Sequence, residues 1–181
     1  MKRIAILSSL LAICFVVATK AQTAPPKPDP ELQKYRVWIG HWKGVFEDSS
    51  SHKHPVEETF EMILGGFFMK NPVFWPESGL HDLWIWGYDP TKKNYTVTEY
   101  SGYDGRIHSG TLTVDDANTW TLLSNGPWFS SDGKEHWIRI ITTFSQDSMS
   151  RQEKSEISED GKTWKTIAEY KGTKTRPAAK N

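Results

Sequence analysis

The sequence predicts an all-β fold: a closed antiparallel up-and-down barrel of about ten strands behind a short N-terminal helix. From Gly40 onward the apolar residues follow a period of two, as in half-buried strands, and no second helical pattern follows. Turn-forming pairs such as Gly65-Gly66 and Asp160-Gly161 separate the strands at regular intervals. A meander of this length is expected to close, because closure removes exposed strand edges.

Ten segments carry the strand pattern. The predicted strands are 42–48, 56–64, 67–73, 80–88, 95–100, 106–114, 119–123, 135–144, 149–158 and 164–171. Their short lengths and hairpin turns predict that neighbours in the chain are also neighbours in the sheet.

The segment Asp-Pro-Glu at 29–31 predicts the start of the helix, with aspartate as the N-cap and proline in the first turn. Leu32, Tyr35 and Ile39 are expected to form its apolar stripe, and Gly40 to end it after two to three turns.

Residues 1–21 are predicted to be a secretory signal peptide. Lys2 and Arg3 form a positive start, and the uncharged run 4–18 is too short to span a membrane, which takes about 20 apolar residues. Cleavage is expected after Ala21. The protein is therefore expected to be periplasmic or secreted.

Two alternatives concern the same segment. Cleavage after Ala18 is the second reading of the cut site. A lipoprotein anchored at Cys14 is disfavoured, because the preceding Ile13 is not small. The remaining chain is expected to divide into a proline-rich tether at 22–30, one barrel domain at 31–174 and a disordered tail at 175–181.

Composition narrows the function classes. The chain carries 22 basic and 22 acidic residues, and the predicted cleavage removes three basic residues and no acid, which gives a net charge of −3. Nucleic acid is therefore not expected as a partner, nor is an integral membrane segment after cleavage. Cys14 is the only cysteine, so the mature chain is expected to lack disulfides and to depend on its aromatic residues for stability.

Alternation along the strands assigns a candidate lumen in which ionisable groups stand among aromatic ones. The candidate ligand-binding residues are Glu58, Phe60, Met62, Glu99, Trp137, Arg139, Arg151 and Glu153. Small-molecule pockets are mostly apolar with a few placed polar groups, which favours this set. Two other interpretations stay open: some of these charged groups point outward, or they form a structural ion pair, because buried charges are costly unless paired.

The segment Gly40-His41-Trp42, directly after the predicted helix, resembles the G-x-W signature of lipocalin and calycin barrels. In those families the tryptophan closes the helix-covered end, and a basic side chain from the last strand packs over its ring. The resemblance therefore implies Trp42 as the barrel-closing residue and Lys171 as the cation, with Lys174 as the alternative.

A longer series of motifs resembles a bacterial lipocalin-like family known as domain of unknown function 1579. The motifs are GGFF at 65–68, GL at 79–80, IWGYD at 85–89, KKNY at 92–95, RIIT at 139–142, DGKTW at 160–164 and EY at 169–170. The resemblance spans about 31–174 and implies a calycin-like barrel, with a small apolar ligand suggested by fold analogy alone. Glu99 departs from the family pattern, where an aromatic residue is expected.

Cofactor chemistry finds little support. His52 and His54 form the only close histidine pair, in a serine-rich loop without a third ligand. The segment GHWKG at 40–44 resembles the start of nitrobindin-type haem barrels, but 161–166 lacks the axial histidine that those proteins need. Neither a metal, a cofactor nor a catalytic residue is predicted.

Three functions are compatible with these observations. The first is a binding module for a small hydrophobic or amphipathic molecule. The second is an isomerase, cyclase or hydratase in which Glu58 or Glu153 is the base and Arg139 stabilises charge. The third is a structural or interaction barrel with a filled core and an exposed aromatic patch.

Overall fold

The structure, a computed structural model, describes residues 26–115, 118–129 and 134–175. The predicted signal peptide, and all of the predicted tail except its first residue, lie outside the described residues.

Eleven strands and two short 3₁₀ helices make up the described chain. The 3₁₀ helices are Pro30–Val37 and Leu64–Gly66. The strands are β1 (Gly40–Asp48), β2 (Lys53–Ile63), β3 (Phe68–Trp75), β4 (Leu80–Asp89), β5 (Asn94–Tyr100), β6 (Ile107–Val114), β7 (Thr119–Ser124), β8 (Trp128–Phe129), β9 (Glu135–Phe144), β10 (Ser150–Ser158) and β11 (Lys165–Thr175).

Ten of these strands close into an antiparallel barrel, which confirms the predicted fold class. Each strand pairs with the next along the chain, and β11 returns to pair with β1, where Gly172 lies opposite Gly44. The two-residue strand β8 is the exception: it adds to the end of β9, where Trp128 lies opposite His136, and β7 pairs directly with β9. Two residues are too few to show the alternation of apolar and polar side chains that indicates a strand, so β8 was not predicted.

The N-terminal helix begins as predicted, with the Asp29 side chain accepting a hydrogen bond from the Glu31 amide at 2.9 Å. It is a 3₁₀ helix, in which residues three apart lie in one line. Leu32, Tyr35 and Trp38 are therefore the buried residues, and Trp38 takes the deep position that helical spacing had suggested for Ile39.

This helix covers one end of the barrel and is bound there by hydrogen bonds, among them those of Tyr35, Trp42 and Lys174. Tyr35 Oη donates to the Gly87 carbonyl at 2.9 Å, and Trp42 Nε1 donates to the Trp38 carbonyl at 2.7 Å. Lys174 Nζ donates to the Val37 carbonyl at 2.9 Å and lies 4.9 Å from the centre of the Trp42 ring.

Of the two lysines, Lys174 and not Lys171 therefore packs over Trp42. Lys171 is exposed and lies beside Val45 on the outer face of the barrel. The reason is alternation: Tyr170, Gly172 and Lys174 share the inner face of β11, and the strand continues to Thr175, beyond the predicted end at 171.

Substitution of Lys174 by methionine tests this end closure. Lys174→Met is expected to lower the free energy of unfolding by about 1–2 kcal/mol, because it removes a hydrogen bond and a cation–π contact. Lys171→Met is the matched control and should change it by less than about 0.5 kcal/mol. Urea unfolding followed by tryptophan fluorescence measures both values, and equal effects would contradict the assignment.

Candidate functional site

A cavity of about 140 Å³ lies inside the barrel, between the helix-covered end and the opposite, open end. Its walls are mostly aromatic, and four acids and one arginine are the charged groups among its lining residues. The aromatic residues among its lining include Trp38, Phe60, Trp84, Trp86, Trp120 and Tyr170. Such a combination of apolar wall and few polar groups is typical of a small-molecule site.

Two glycines shape the wall where the barrel closes. Gly44 on β1 and Gly172 on β11 lie side by side, and the Tyr170 ring packs over both. A Cβ atom at Gly44 would stand 2.5 Å from that ring, so the ring requires glycine there. Tyr170 thereby forms part of the cavity wall beside Arg151.

Arg151 on β10 is the central charge of the site. Its side chain is buried, its Nη2 contacts the Glu58 carboxylate, and its Nε lies 3.0 Å from Glu153 Oε1. Because a buried charge is tolerated only when it is compensated, these two acids neutralise the guanidinium.

Aromatic rings enclose this ionic cluster on several sides. The Arg151 Cζ atom lies between 4.8 and 5.0 Å from the ring centres of Trp38, Trp42, Phe60 and Tyr170. These are cation–π distances, so the rings contribute to the stabilisation of the buried guanidinium.

Burial and pairing change the proton affinities of the cluster. Burial disfavours the charged form of Arg151, but the Glu58 and Glu153 carboxylates outweigh it and raise the pKa of the guanidinium. Burial raises the pKa of Glu153 to about 7 against the attraction of Arg151. Glu153 therefore exchanges its proton near neutral pH, which ordinary glutamates do not.

Glu99 on β5 lines the cavity on the wall across from Arg151, towards the open end. Burial, and then the nearby charges of Asp82 and Asp104, raise the pKa of Glu99 to about 8. Asp82 accepts hydrogen bonds from Trp75 Nε1 and from the Gly102 amide, each at 2.8 Å. Glu99 itself has neither a hydrogen bond nor an ion pair with any described residue.

Five of the eight candidate residues line the cavity. They are Glu58, Phe60, Glu99, Arg151 and Glu153. Met62 does not, because it lies at the helix-covered rim of β2 with its side chain 36% exposed.

Trp137 and Arg139 face away from the cavity, contrary to the expected parity of β9. Ile140, Thr142 and Phe144 occupy its inner face, opposite Ser155, Glu153 and Arg151 on β10. Both faces of β9 are apolar, so alternation did not distinguish them.

Arg139 has its own contacts on the outer surface of the barrel. It donates from Nε to Glu156 Oε2 at 2.6 Å, and its Cζ lies 4.3 Å from the centre of the Trp164 ring. It therefore cannot stabilise charge inside the cavity.

Tyr170 and Asp82 line the cavity but were not among the candidate residues predicted from the sequence. The alternation of β11 around Lys174 would have placed Tyr170 inside. The sequence contains no comparable indication that Asp82 lines the cavity, because single acidic residues near the start of a strand are common.

Among the described residues, no group of three histidine, cysteine or acidic side chains stands close enough to hold a metal ion. In the same part of the chain, no helix has the length and apolar character to cross a membrane. His52 and His54 each place a ring nitrogen 3.6 Å from Asp48 Oδ2 in an exposed loop.

Residues 27–174 match the family described as protein of unknown function, DUF1579, and the chain belongs to that family. No curated protein matches the chain. Among solved structures, it is similar to a protein of unknown function from the DUF3598 family of Nostoc punctiforme, at 8% identity. That similarity covers 81% of this chain and 100% of the other, with a TM-score of 0.24, and carries no argument about function.

The unusual proton affinity of Glu99 makes stability depend on pH. The folded state holds this proton up to a pH of about 8, whereas an unperturbed glutamate releases it near 4.5, so Glu99 should lower stability as pH rises between these values. Glu99→Gln removes that dependence. At pH 8.5 the variant is expected to be more stable than the wild type by more than about 1 kcal/mol, since a tenfold change in proton affinity corresponds to about 1.4 kcal/mol.

Urea unfolding at pH 5, 7 and 8.5 measures this difference, with the exposed Glu159→Gln as the matched control. The variant retains Asp82 on β4 and Asp104 in the turn after β5, whose charges act on Glu99, and also His108, which lies opposite Glu99 on β6. Parallel pH profiles for Glu99→Gln and the wild type would show that Glu99 ionises normally.

Proposed function

We propose that this protein is an exported barrel that binds a small hydrophobic or amphipathic molecule in its lumen. The observation that carries the proposal is the aromatic cavity of about 140 Å³ at the centre of the barrel. A cavity of about 150 Å³ with apolar walls accommodates a molecule of the size of benzene. The ligand is therefore small, or it is longer and projects through the open end.

The charged groups favour an amphipathic ligand over a purely apolar one. Arg151, Glu58 and Glu153 stand on one wall, and Glu99 stands on the other, nearer the open end. A few polar groups on an apolar wall orient a ligand and select it by its hydrogen-bonding groups. A lipocalin-like mode of binding, with the ligand inside the barrel and the helix closing one end, agrees with the contacts of Trp42 and Lys174.

The two alternative functions have less support. A filled structural barrel conflicts with the cavity. The enzyme hypothesis is weakened in two respects. Arg139 faces outward and cannot stabilise charge in the lumen, and Glu58 is paired with Arg151 and is not available as a base. Glu153 remains its best candidate base, because its pKa of about 7 matches the requirements of proton transfer near neutral pH.

Filling the cavity tests lumen binding directly. Ser155 lines the cavity, whereas Gln152 on the same strand is exposed. Ser155→Phe is expected to reduce the binding of a small aromatic probe such as acetophenone at least about tenfold, because the new ring takes the ligand's space, and Gln152→Phe should leave binding unchanged.

Isothermal titration calorimetry measures the probe, and native mass spectrometry of protein purified from its own host searches for the resident molecule. Equal binding by both variants would place the probe outside the lumen, and the absence of any binding by the wild type would reject the proposal.

Export is proposed from residues 1–21, with cleavage after Ala21. Expression of the full chain in a bacterium with an outer membrane is expected to yield mature protein in the periplasmic fraction, with Gln22 as its first residue. N-terminal sequencing and fractionation measure this outcome. Replacement of Lys2 and Arg3 by glutamate should retain the precursor in the cytoplasm, and an uncleaved wild-type chain there would contradict the assignment.

A further inference from the structure

Several buried hydrogen-bond donors around the cavity have no acceptor among the described residues. They are Trp38 Nε1, Trp86 Nε1 and Arg151 Nη1. Arg151 Nε also lacks a hydrogen bond and faces Glu153 only as an ion pair. All three side chains are at least nine-tenths buried, and all three line the cavity. A buried donor without an acceptor is costly, so proteins rarely retain a group of them.

Two other indole N–H groups at the cavity do have hydrogen-bond acceptors within the barrel. Trp120 Nε1 donates to Asn118 Oδ1 at 3.1 Å, and Trp75 Nε1 donates to Asp82 Oδ2 at 2.8 Å. Both tryptophans line the same cavity. The missing acceptors are therefore specific to Trp38 and Trp86 and are not a general property of its walls.

The side chains that carry these donors are also neighbours. The rings of Trp38 and Trp86 have their centres 5.0 Å apart, and the Arg151 Cζ atom lies 5.0 Å from the centre of the Trp38 ring. Trp38 directly follows the N-terminal helix, so this group of side chains lies towards the helix-covered end of the cavity.

The charge balance around Arg151 determines whether an anionic or an uncharged acceptor can bind to these donors. The Glu58 carboxylate contacts Arg151, and Glu153 stands beside it, so the guanidinium charge is already compensated. A further anion would add an uncompensated charge in an aromatic, water-poor surrounding, which is costly. An uncharged oxygen supplies the acceptor without that cost.

We propose that the lumen ligand carries an uncharged acceptor oxygen, such as a carbonyl, and that this oxygen binds to the donor group of Trp38, Trp86 and Arg151. This inference rests on the proposed function and specifies the chemistry of its ligand. The apolar part of the ligand packs against Trp120 and Trp84 towards the open end.

A pair of probes that differ in one atom tests the inference. Acetophenone carries a carbonyl oxygen where α-methylstyrene carries a methylene group, and the two otherwise have the same shape. Calorimetric titration of the wild type and of Trp86→Phe gives the ratio of the two dissociation constants. Trp86→Phe is expected to weaken acetophenone relative to α-methylstyrene by about tenfold, which corresponds to about 1.4 kcal/mol.

Trp120→Phe is the matched control, because its indole donor already has an acceptor. It should change the binding of both probes equally and leave their ratio within about twofold. Trp38→Phe provides a second test of the donor group if Trp86→Phe fails to fold, as judged from its thermal unfolding. Benzoate, an anion of similar size, should bind more weakly than acetophenone.

The outcomes separate the inference from the function on which it rests. If both probes bind the wild type and their ratio stays constant in Trp86→Phe and Trp38→Phe, ordered water satisfies the donors and the inference is wrong, while lumen binding stands. If benzoate binds most tightly, the acceptor is an anion and the uncharged class is wrong. If no probe binds the wild type, the proposed function fails together with the inference.

Discussion

The burial of one cation, the Arg151 guanidinium, constrains the interior of this barrel. Only 2% of the residue is exposed, so its charge requires compensation inside the protein. Glu58 supplies it from β2 and Glu153 from β10 itself, which ties together strands on both sides of the β1–β11 seam. Removing one partner of such a cluster typically costs about 3–5 kcal/mol, because the other charge stays buried. The polar character of the cavity follows from the same requirement.

Aromatic residues surround the buried ion cluster of Arg151, Glu58 and Glu153 and connect it to the N-terminal helix. Trp38 comes from the chain just after the N-terminal 3₁₀ helix and contacts Arg151 with its ring, while its carbonyl accepts from Trp42. Lys174 holds the same segment through the Val37 carbonyl. The helix that covers the barrel end and the ion cluster below it are thus parts of one packed unit. Across the lumen Glu99 has no ion pair with any described residue, and burial raises its pKa to about 8, so it stays protonated near neutral pH.

The strand pattern, the turns and the helix start were predictable from local signals, and the structure places strands in all ten predicted segments. Alternation also placed Glu58, Phe60, Arg151 and Glu153 on inner faces. It failed on β9, where Arg139 lies outside, because apolar residues occupy both faces of that strand. It failed again for Lys171, because β11 continues to Thr175 and the cation that reaches Trp42 comes from nearer the strand's end.

Local sequence signals are sufficient to predict an antiparallel barrel with a capped helix, because turn residues, strand period and capping act over a few neighbouring positions. Which side chains share the lumen depends on how the strands pair in the folded barrel. Arg151 and Glu58 are 93 positions apart, and barrel closure and register bring them together. The raised pKa values of Glu153 and Glu99 and the unsatisfied donors of Trp38 and Trp86 likewise depend on burial. Periodicity specifies a face within one strand, whereas neighbours across strands are set by pairing of the whole sheet.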